Sequence, residues 1–377
     1  MDGSRGARGA LDIAGVSRLQ GGVFVRALLR RFVGLTLIAL VLSALAGCET
    51  VGYYGQAIRG QAELLLARQR VADLIADPAT PPALGTALRT SVDVLAFAES
   101  ELGIAADGRY QSYVDLDRRA VVYNVFASPP YTLAPVQWCF PIAGCVSYRG
   151  YFSRADARAK ADALAAEGFD VHVGGVAAYS TLGWFDDPLL STFIDRGDAA
   201  LAELLFHELA HGVVYVPGDT AFNESFATFV GRKAVAQFLA SRGDGEMLDA
   251  WLARNAARER FVALTLALRT TLAEGYAELL AEHQDEAARR AGKAALWAAL
   301  RAEWRAQRDD ALVPYDGFFE GDASNARLNT VADYNVHLPA FAALHDAQGA
   351  DWARFFERVR ILAADDAARA RFTARAD

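Results

Sequence analysis

The segment 203–231, ELLFHELAHGVVYVPGDTAFNESFATFVG, limits the possible folds of this chain more than any other segment. Apolar residues recur at helical spacing ahead of Pro217-Gly218, and neither Pro nor Gly continues a helix easily. We therefore predict a helix over 198–216, a turn, and a second helix that starts near Asn223 and folds back beside the first. The side chains that would pack the first helix into the interior are Leu204, Leu205, Phe206, Leu209 and Ala210.

Two histidines of this segment, His207 and His211, lie one turn apart on the first predicted helix, about 6 Å along its axis. Two imidazoles in this arrangement can bind one zinc ion from the same face, and Glu208 between them can reach a water on that metal. A catalytic zinc site needs a third protein ligand. Glu224, at the start of the second helix, can face both histidines. We expect one Zn²⁺ per chain, held by His207, His211 and Glu224, with Glu208 as the base that activates the zinc-bound water.

The alternative for these four residues is a helical hairpin whose His and Glu side chains are solvated. That alternative must explain why two histidines and two glutamates converge in apolar surroundings, where unpaired charges are costly. A structural zinc site is a further alternative, but such sites are closed by four ligands and are rich in cysteine. Here three ligands are found and no cysteine is nearby in the sequence, which favours catalysis.

A zinc site that catalyses hydrolysis also needs a hydrogen-bond donor for the oxyanion of its transition state. Tyr334, in VADYNVHLP, is the donor that we predict, and Tyr276, Tyr315 and His337 are the alternatives. Any of these side chains can instead pack in the core or cap a helix. Asp219 and Thr228 are candidates for contacts to the ligating imidazoles. No role is assigned to the other histidines, which are His172, His283 and His345.

Residues 178–185, AYSTLGWF, can form an edge strand against which an extended peptide lies, since main-chain pairing is a common way to hold peptides. Asp186 and Asp187 end that strand, and a carboxylate there can bind the α-amine of a substrate. The alternative is that these aspartates form a helix cap and turn before Pro188.

The N-terminal segment 1–47 has the features of an export signal. An uncharged apolar run, 32–46, follows three basic residues, and it is shorter than the ~20 residues that a membrane span needs. Leu45-Ala46-Gly47-Cys48 resembles the bacterial lipobox, which implies cleavage before Cys48 and lipid on its thiol. An ordinary signal peptide and an anchor helix are the alternatives. We expect a lipid-anchored protein in the envelope of a Gram-negative bacterium, at the outer membrane and facing the periplasm.

Charge and cysteine content add two expectations. Removal of residues 1–47 takes away six Arg and two Asp, which changes the net charge from −8 to −12. Nucleic acid is therefore excluded as a partner, because phosphate binding needs a basic face. Export places Cys139 and Cys145 in an oxidising compartment, so we predict a disulfide between them. Two buried thiols are the alternative.

The pattern of the whole chain predicts an α+β, mostly helical fold with a small sheet packed on the helix that carries His207. Residues 48–377 are expected to form one domain, with N-terminal helices in 48–107, the sheet and the ligand-bearing helices in 108–240, and a helical region in 241–377. The predicted strands are 120–128, 145–152 and 170–185. The predicted helices are 50–76, 82–102, a helix opened by Ser153 and ended by Gly168, and helical stretches over 243–310 and 335–375, with irregular chain at 314–329.

Several segments together resemble the bacterial family of predicted aminopeptidase lipoproteins, and they are AYSTLGWFDDPLLS, FHELAH, GDTAFNESFATFVG, WCFPIAGCVSYRGYF and SNARLN. FNESFATFV is also similar to the NEGFA element that supplies the third ligand in aminopeptidase N-type gluzincins, although their interval after HExxH is longer. Thermolysin-like enzymes carry Asp four residues after the third ligand, where this chain has Thr228.

The resemblance implies a zincin-like core and a gluzincin-type zinc peptidase that removes N-terminal residues from peptides in the cell envelope. Its partners would be a peptide substrate and, through the lipid on Cys48, a membrane. An endopeptidase of the same mechanism and a non-catalytic structural or interaction lipoprotein are the alternatives.

Overall fold

The computed structural model describes residues 47–141, 143–178 and 186–374. The fold is α+β and 64% helical, with small sheets. This confirms the α+β, mostly helical class predicted from the sequence. The helices are α1 (Gly47–Leu66), α2 (Val71–Ala76), α3 (Pro82–Glu101), α4 (Arg154–Ala166), α5 (Asp198–Ala210), α6 (Thr220–Ser241), α7 (Gly245–Glu282), α8 (Glu286–Gln307), a 3-10 helix (Asp310–Tyr315), α9 (Asp316–Phe319), α10 (Asn325–Asn335), α11 (Leu338–Ala347), α12 (Trp352–Ala364) and α13 (Asp366–Thr373). The strands are β1 (Gln69–Arg70), β2 (Ser112–Val114), β3 (Val122–Ser128), β4 (Trp138–Phe140), β5 (Gly144–Val146), β6 (Tyr148–Tyr151), β7 (Asp170–Val176) and β8 (Leu189–Leu190).

The chain divides into two units, Met1–Arg59 and Gly60–Asp377. Within the first unit the structure describes residues 47–59, which belong to α1. The predicted signal segment and lipobox fall outside the described residues, apart from the backbone at Gly47 and Cys48. Among the residues that are described, no helix is long and apolar enough to span a membrane.

The main sheet of the second unit has the strand order β6-β3-β7, and both pairings are antiparallel. Val125 of β3 lies opposite Arg149 on one side and Val173 on the other, which fixes the register. Helix α4 begins after Ser153, whose hydroxyl accepts a hydrogen bond from the Asp156 backbone N–H, and it packs against β3 and β7. This strand–helix–strand arrangement is the one predicted from the sequence. Within the residues that the structure describes, β7 is an edge strand of this sheet.

Two smaller sheets complete the β structure of the described chain. Strand β2 pairs antiparallel with β1 and parallel with β8. Strands β4 and β5 form a hairpin in which Cys139 lies opposite Cys145, and the two Sγ atoms are joined by a disulfide.

Several predicted elements differ in extent from those in the structure. The predicted helix 50–76 is interrupted, because Gln69 pairs with Tyr113 and the backbone of Arg70 is extended before α2 begins. The stretch 243–310 is two helices, and Asp285 caps the second. The C-terminal stretch 335–375 is likewise divided, into α11, α12 and α13.

Two further segments contain structure that the pattern did not reveal. The predicted irregular stretch 314–329 includes α9 and the start of α10, because Ser324 caps α10 by accepting from the Arg327 N–H. The predicted strand 170–185 is β7 over Asp170–Val176, and residues 179–185 fall outside the described chain.

The apolar core consists of two clusters of buried side chains. The larger cluster surrounds α5 and α6, where Phe206, Phe222 and Phe226 are fully buried. The second cluster lies between α7 and α8 and is centred on Tyr276 and Trp304. The two predicted ligand helices are therefore in the interior of the molecule, as their apolar side chains require.

Candidate metal centre

Helix α5 presents His207 and His211 on one face, although it is shorter than predicted. It begins after Gly197, whose φ of +86° suits glycine, and it ends at Ala210 rather than 216. His211 is the first residue beyond the helix and keeps a helical backbone, with φ −59° and ψ −24°. The Gly212 N–H then bonds to the Leu209 carbonyl, which tightens the last turn and ends the helix.

The connection between α5 and α6 is fixed by a side chain. Asn223 Oδ1 accepts from the Val216 N–H, and Asn223 Nδ2 donates to the Val216 carbonyl, both at 2.8 Å. Asn223 is 2% exposed, so these bonds are shielded from water. The turn that returns the chain toward α5 is therefore held by the residue just before Glu224.

Helix α6 begins at Thr220, three residues before the predicted start near Asn223, and Asp219 is its N-cap. Its carboxylate accepts from the Phe222 N–H at 3.1 Å and from Arg369 Nε at 2.9 Å. The contacts of the Asp219 carboxylate are thus an N-cap and an ion pair, and they give no support to the prediction that Asp219 contacts the ligating imidazoles. Thr228 remains close to the site, since it lines the same cleft as His207.

Gly231 allows α5 and α6 to approach closely. A Cβ at this position would lie 2.8 Å from the Glu203 carbonyl oxygen and 3.3 Å from His207 Cβ. No side chain fits in that space without moving the α5 backbone. Because Gly231 follows Glu224 by two helical turns, the contact sets the helix separation that brings Glu224 to the histidines.

His207, His211 and Glu224 form what we call the metal cluster. His207 Nε2 lies 3.3 Å from Glu224 Oε2, and His211 Nε2 lies 3.7 Å from the same oxygen. One ligand atom from each residue lies within 4.8 Å of the others. Zinc bonds of 2.0–2.1 Å in tetrahedral geometry place ligand atoms about 3.3 Å apart. The donor set and its spacing therefore fit a zinc ion with one position left for water or substrate.

Burial and mutual attraction set the protonation of the metal cluster. Burial alone would raise the pKa of Glu224, but the neighbouring His211 and His207 outweigh it and the pKa is lowered. Burial alone would lower the pKa of His207, but the hydrogen bond with Glu224 and the charges of Glu208, Glu224 and Glu203 together outweigh burial, and the pKa is raised. For His211 burial dominates and lowers the pKa to about 4. An ionised carboxylate beside a neutral imidazole is the state that binds a metal.

Glu208 lies beside the metal cluster and is 8% exposed. Burial raises its pKa to about 7, with further contributions from Glu224 and Asp187, while the charges of His207 and Arg109 act in the opposite direction. A divalent cation on the neighbouring ligands would lower this pKa. A carboxylate poised in this range can both accept and return a proton near neutral pH.

Tyr334 is the tyrosine that the structure places next to the metal cluster. It is on α10, its ring stacks on His207 at a centroid distance of 6.1 Å and an angle of 19°, and its hydroxyl is close enough to Glu224 to help lower the pKa of that carboxyl. Burial raises the pKa of Tyr334 well above its usual range, with Glu224 the next cause. The hydroxyl therefore keeps its proton and can donate it in a hydrogen bond.

The alternatives to Tyr334 lie in other surroundings. Tyr276 is in the second core cluster, where its hydroxyl donates to Asn325 and accepts from Trp297. Tyr315 stacks on Phe261 at 4.3 Å in the same region. Both side chains are therefore used in packing.

A cleft of about 460 Å³ reaches the metal cluster at His207. His207, Glu208 and Tyr334 line one part of it, and the end of β7 together with Ala177 and Ala178 forms a side wall. The remaining lining comes from α6, from the face of α5 toward its N-terminus, and from three charged side chains, which are Arg196, Glu203 and Arg258. An edge strand next to a metal cluster offers main-chain groups to an extended peptide.

The two predicted substrate-binding aspartates have different surroundings. Asp187 is 3% exposed, its carbonyl accepts from the Tyr110 N–H, and its charge contributes to the raised pKa of Glu208. Asp186 is exposed, and its carboxylate lies against Gly108. Asp187 is therefore the aspartate of the pair that lies near the reacting groups.

Sequence reasoning missed two buried basic and aromatic groups at the C-terminal end of α5. The Arg109 guanidinium donates to the Ala105 and Ala106 carbonyls and occupies the space that a Cβ at Gly212 would fill. Tyr110 has a φ of +63°, and burial followed by Glu208 raises its pKa. Neither has a motif, because both reach the site from a loop about 100 residues before His207. The available signal was Gly108 two residues before an aromatic residue.

Tyr148 was missed for the same reason. It is the first residue of β6, and burial followed by the charge of Glu224 raises its pKa well above the usual range. The adjacent Ser147 donates to the Asp333 carboxylate at 2.6 Å, which ties β6 to the residue before Tyr334. The segment CVSYRGYF predicted the strand but not the side that faces the metal cluster.

Comparison with known proteins gives one match. The family model described as "Putative aminopeptidase" matches residues 52–373. No curated protein and no solved structure matches the chain.

Proposed function

The chain belongs to the family described as putative aminopeptidase, and from this premise we propose that it is a zinc-dependent peptidase of gluzincin type, with a zincin-like core. The observation that carries the proposal is the convergence of His207, His211 and Glu224, together with a cleft that His207, Glu208 and Tyr334 line. Family membership supports peptide hydrolysis. The donor set supports zinc as the cofactor, at one ion per chain.

His207, His211 and Glu224 would hold the ion. When bound, zinc supplies a Lewis acid that polarises the peptide carbonyl and makes a water easier to deprotonate. Glu208 takes the proton from the attacking water and passes it to the departing amine, since its carboxylate is adjacent to the ligands but is not one of them. The Tyr334 hydroxyl, which stacks beside His207, donates a hydrogen bond to the developing oxyanion.

The position of the Asp187 carboxylate favours an exopeptidase over an endopeptidase. A buried carboxylate close to Glu208 can pair with the α-ammonium of a substrate and fix the first peptide bond over the metal cluster. Acetylation of the N-terminus should then abolish cleavage of an otherwise good peptide. Equal turnover of acetylated and free peptides would assign the endopeptidase alternative instead.

The proposal is tested on purified protein expressed without residues 1–47. Metal content, measured by mass spectrometry of the acid-digested protein, should be about one zinc per chain. Free, acetylated and internally quenched peptides then report the activity, which should disappear with a chelator and return with zinc. A protein that holds zinc and cleaves no peptide would support the structural or interaction lipoprotein.

A lipid anchor on Cys48 and an envelope location at the outer membrane are part of the same proposal, and the lipobox Leu45-Ala46-Gly47-Cys48 supports them. In the full-length chain Cys48→Ser should leave an unprocessed precursor or release soluble protein. Labelled palmitate that remains attached to the Cys48→Ser variant would contradict a lipid at this residue. The Cys139–Cys145 disulfide accords with an oxidising compartment.

A further inference from the structure

The cleft continues from the metal cluster along α5 toward the N-terminus of that helix. Glu203 precedes His207 by one turn, about 6 Å along the axis, and Ala200 precedes it by about 10 Å. An extended peptide advances about 3.3 Å per residue. The far part of the cleft therefore faces the substrate residues that lie two to three positions from the scissile bond.

Two arginines line this far part of the cleft, Arg196 and Arg258. Arg196 is exposed and precedes α5. Arg258, on α7, donates from Nη1 at 2.5 Å and from Nη2 at 3.0 Å to the two oxygens of Glu203, whose Oε2 also accepts from Trp251 at 3.1 Å. The Glu203 carboxylate is thus fully engaged, while the Arg258 side chain is 31% exposed and has further N–H groups.

The two ends of the cleft differ in charge. Near the C-terminal end of α5 are Glu208 and the buried Asp187, and along α5 in the other direction are Arg196 and the Arg258–Glu203 pair. Of the charged side chains that line this far part, two are Arg and one is Glu, and the charge of Glu203 is balanced by Arg258. The far end is therefore net positive, which suits an anionic group on the substrate.

We propose that Arg196 and Arg258 bind a carboxylate of the substrate two to three residues beyond the scissile bond, so that the cleft selects short peptides with a charge at each end. This inference rests on the proposed peptidase function. The carboxylate can be the α-carboxylate of a short peptide or the side chain of Asp or Glu. Guanidinium groups recognise both through charge-assisted, paired hydrogen bonds.

The test compares kcat/KM for three peptides, Leu-Ala-Ala, its C-terminal amide, and Leu-Ala-Asp amide. The free acid should be cleaved about tenfold or more faster than the amide, the gain expected from about one charge-assisted hydrogen bond. If Leu-Ala-Asp amide is cleaved as fast as the free acid, the cleft accepts a side-chain carboxylate as well as the α-carboxylate. If it is cleaved only as fast as Leu-Ala-Ala amide, recognition is restricted to the α-carboxylate.

Variants assign the effect to the arginines. Arg196→Ala, and the double variant Glu203→Gln/Arg258→Gln, which removes both charges of the pair and leaves polar amides in their place, should reduce the acid-to-amide ratio to about one. Arg254→Ala, at an exposed position one turn earlier on α7, is the matched control and should keep the wild-type ratio. Isothermal titration of the same peptides into a zinc-loaded Glu208→Gln variant gives the preference from binding alone.

The outcomes distinguish failure of carboxylate recognition from failure of the proposed peptidase function. A wild-type protein that cleaves the acid and the amide equally well overturns carboxylate recognition and leaves the peptidase function standing. A wild-type ratio that survives in Arg196→Ala and in the double variant also overturns the assignment. A zinc-loaded protein that neither cleaves nor binds any of the peptides overturns both.

Discussion

The metal cluster and a second buried polar group, the Tyr276 network of Tyr276, Trp297 and Asn325, differ in how their polar atoms are used. In the Tyr276 network each group has a partner within the protein. The Tyr276 hydroxyl accepts from Trp297 Nε1 at 2.9 Å and donates to Asn325 Oδ1 at 2.8 Å, and Asn325 Nδ2 donates to backbone carbonyls of Pro129, Pro130 and Thr132.

In the metal cluster, by contrast, two imidazole nitrogens converge on one carboxylate oxygen. His211 Nδ1 is buried, and it has no hydrogen-bond partner among the described residues. A buried polar network is stabilising when it is fully satisfied and costly when it is not. The comparison therefore separates a network that supports the fold from a cluster whose donor atoms suit an external cation.

The largest expected effect is the loss of a ligand. Glu224→Ala removes one of three metal ligands, so zinc should fall from about one per chain to near zero and peptidase activity should be lost. Zinc should raise the melting temperature of the wild type, because it binds the folded state, and should not raise that of the variant. Metal analysis and thermal unfolding with and without zinc measure both. Undiminished zinc binding by Glu224→Ala would mean that the third ligand is another residue.

A smaller loss is expected when the oxyanion donor is removed and the ligands stay. Tyr334→Phe keeps the ring that stacks on His207 and deletes the hydroxyl. We expect kcat to fall about 10²- to 10³-fold with zinc retained. Steady-state kinetics and metal content of the same preparation measure the two quantities. An unchanged kcat would transfer the role to another group, and Tyr148 would be substituted next.

Asn223→Ala tests whether the turn between α5 and α6 positions Glu224. The substitution removes both hydrogen bonds to Val216, and we expect about 10- to 100-fold weaker zinc binding, the range seen when support of a ligand is lost. Competition with a chromophoric chelator measures the affinity. Thr373→Ala, far along the chain in α13, serves as the control. Equal zinc affinity of Asn223→Ala and the wild type would show that the turn is held by packing alone.

The smallest effect on function is expected in the Tyr276 network. Tyr276→Phe leaves Trp297 Nε1 and Asn325 Oδ1 without the hydroxyl, so the free energy of unfolding should fall by about 1–3 kcal/mol. Zinc content and kcat/KM should equal those of the wild type. Urea denaturation measures the free energy of unfolding, and peptide assays on the same sample measure kcat/KM. Loss of activity without loss of stability would contradict the division between the two regions.

The sequence predicted the metal cluster because local spacing determines it. HExxH places two imidazoles on one helical face, and the turn at Pro217-Gly218 requires the next helix to return. The structure accordingly brings Glu224 within reach of His207 and His211. The end of α5 at Ala210 was not predicted, because His211 keeps a helical backbone while Gly212 begins the turn.

The surroundings of the cluster could not be predicted in the same way. Arg109, Tyr110 and Tyr148 arrive from loops and strands far from His207 in sequence, and their positions depend on tertiary packing. Asp219 shows the opposite case. Its place before an apolar run was an ordinary N-cap signal, and that local role was the correct one.

The proposed chemistry depends most directly on Glu208, which lies beside the ligands and is predicted not to be one of them. Glu208→Gln keeps the size and shape of the side chain and cannot accept a proton. Zinc content and kcat should be measured on the same purified sample of this variant. We expect about one zinc per chain together with a loss in kcat of about 10²-fold or more. Full activity with zinc bound would contradict the role of Glu208 as the base, and loss of zinc would make it a ligand.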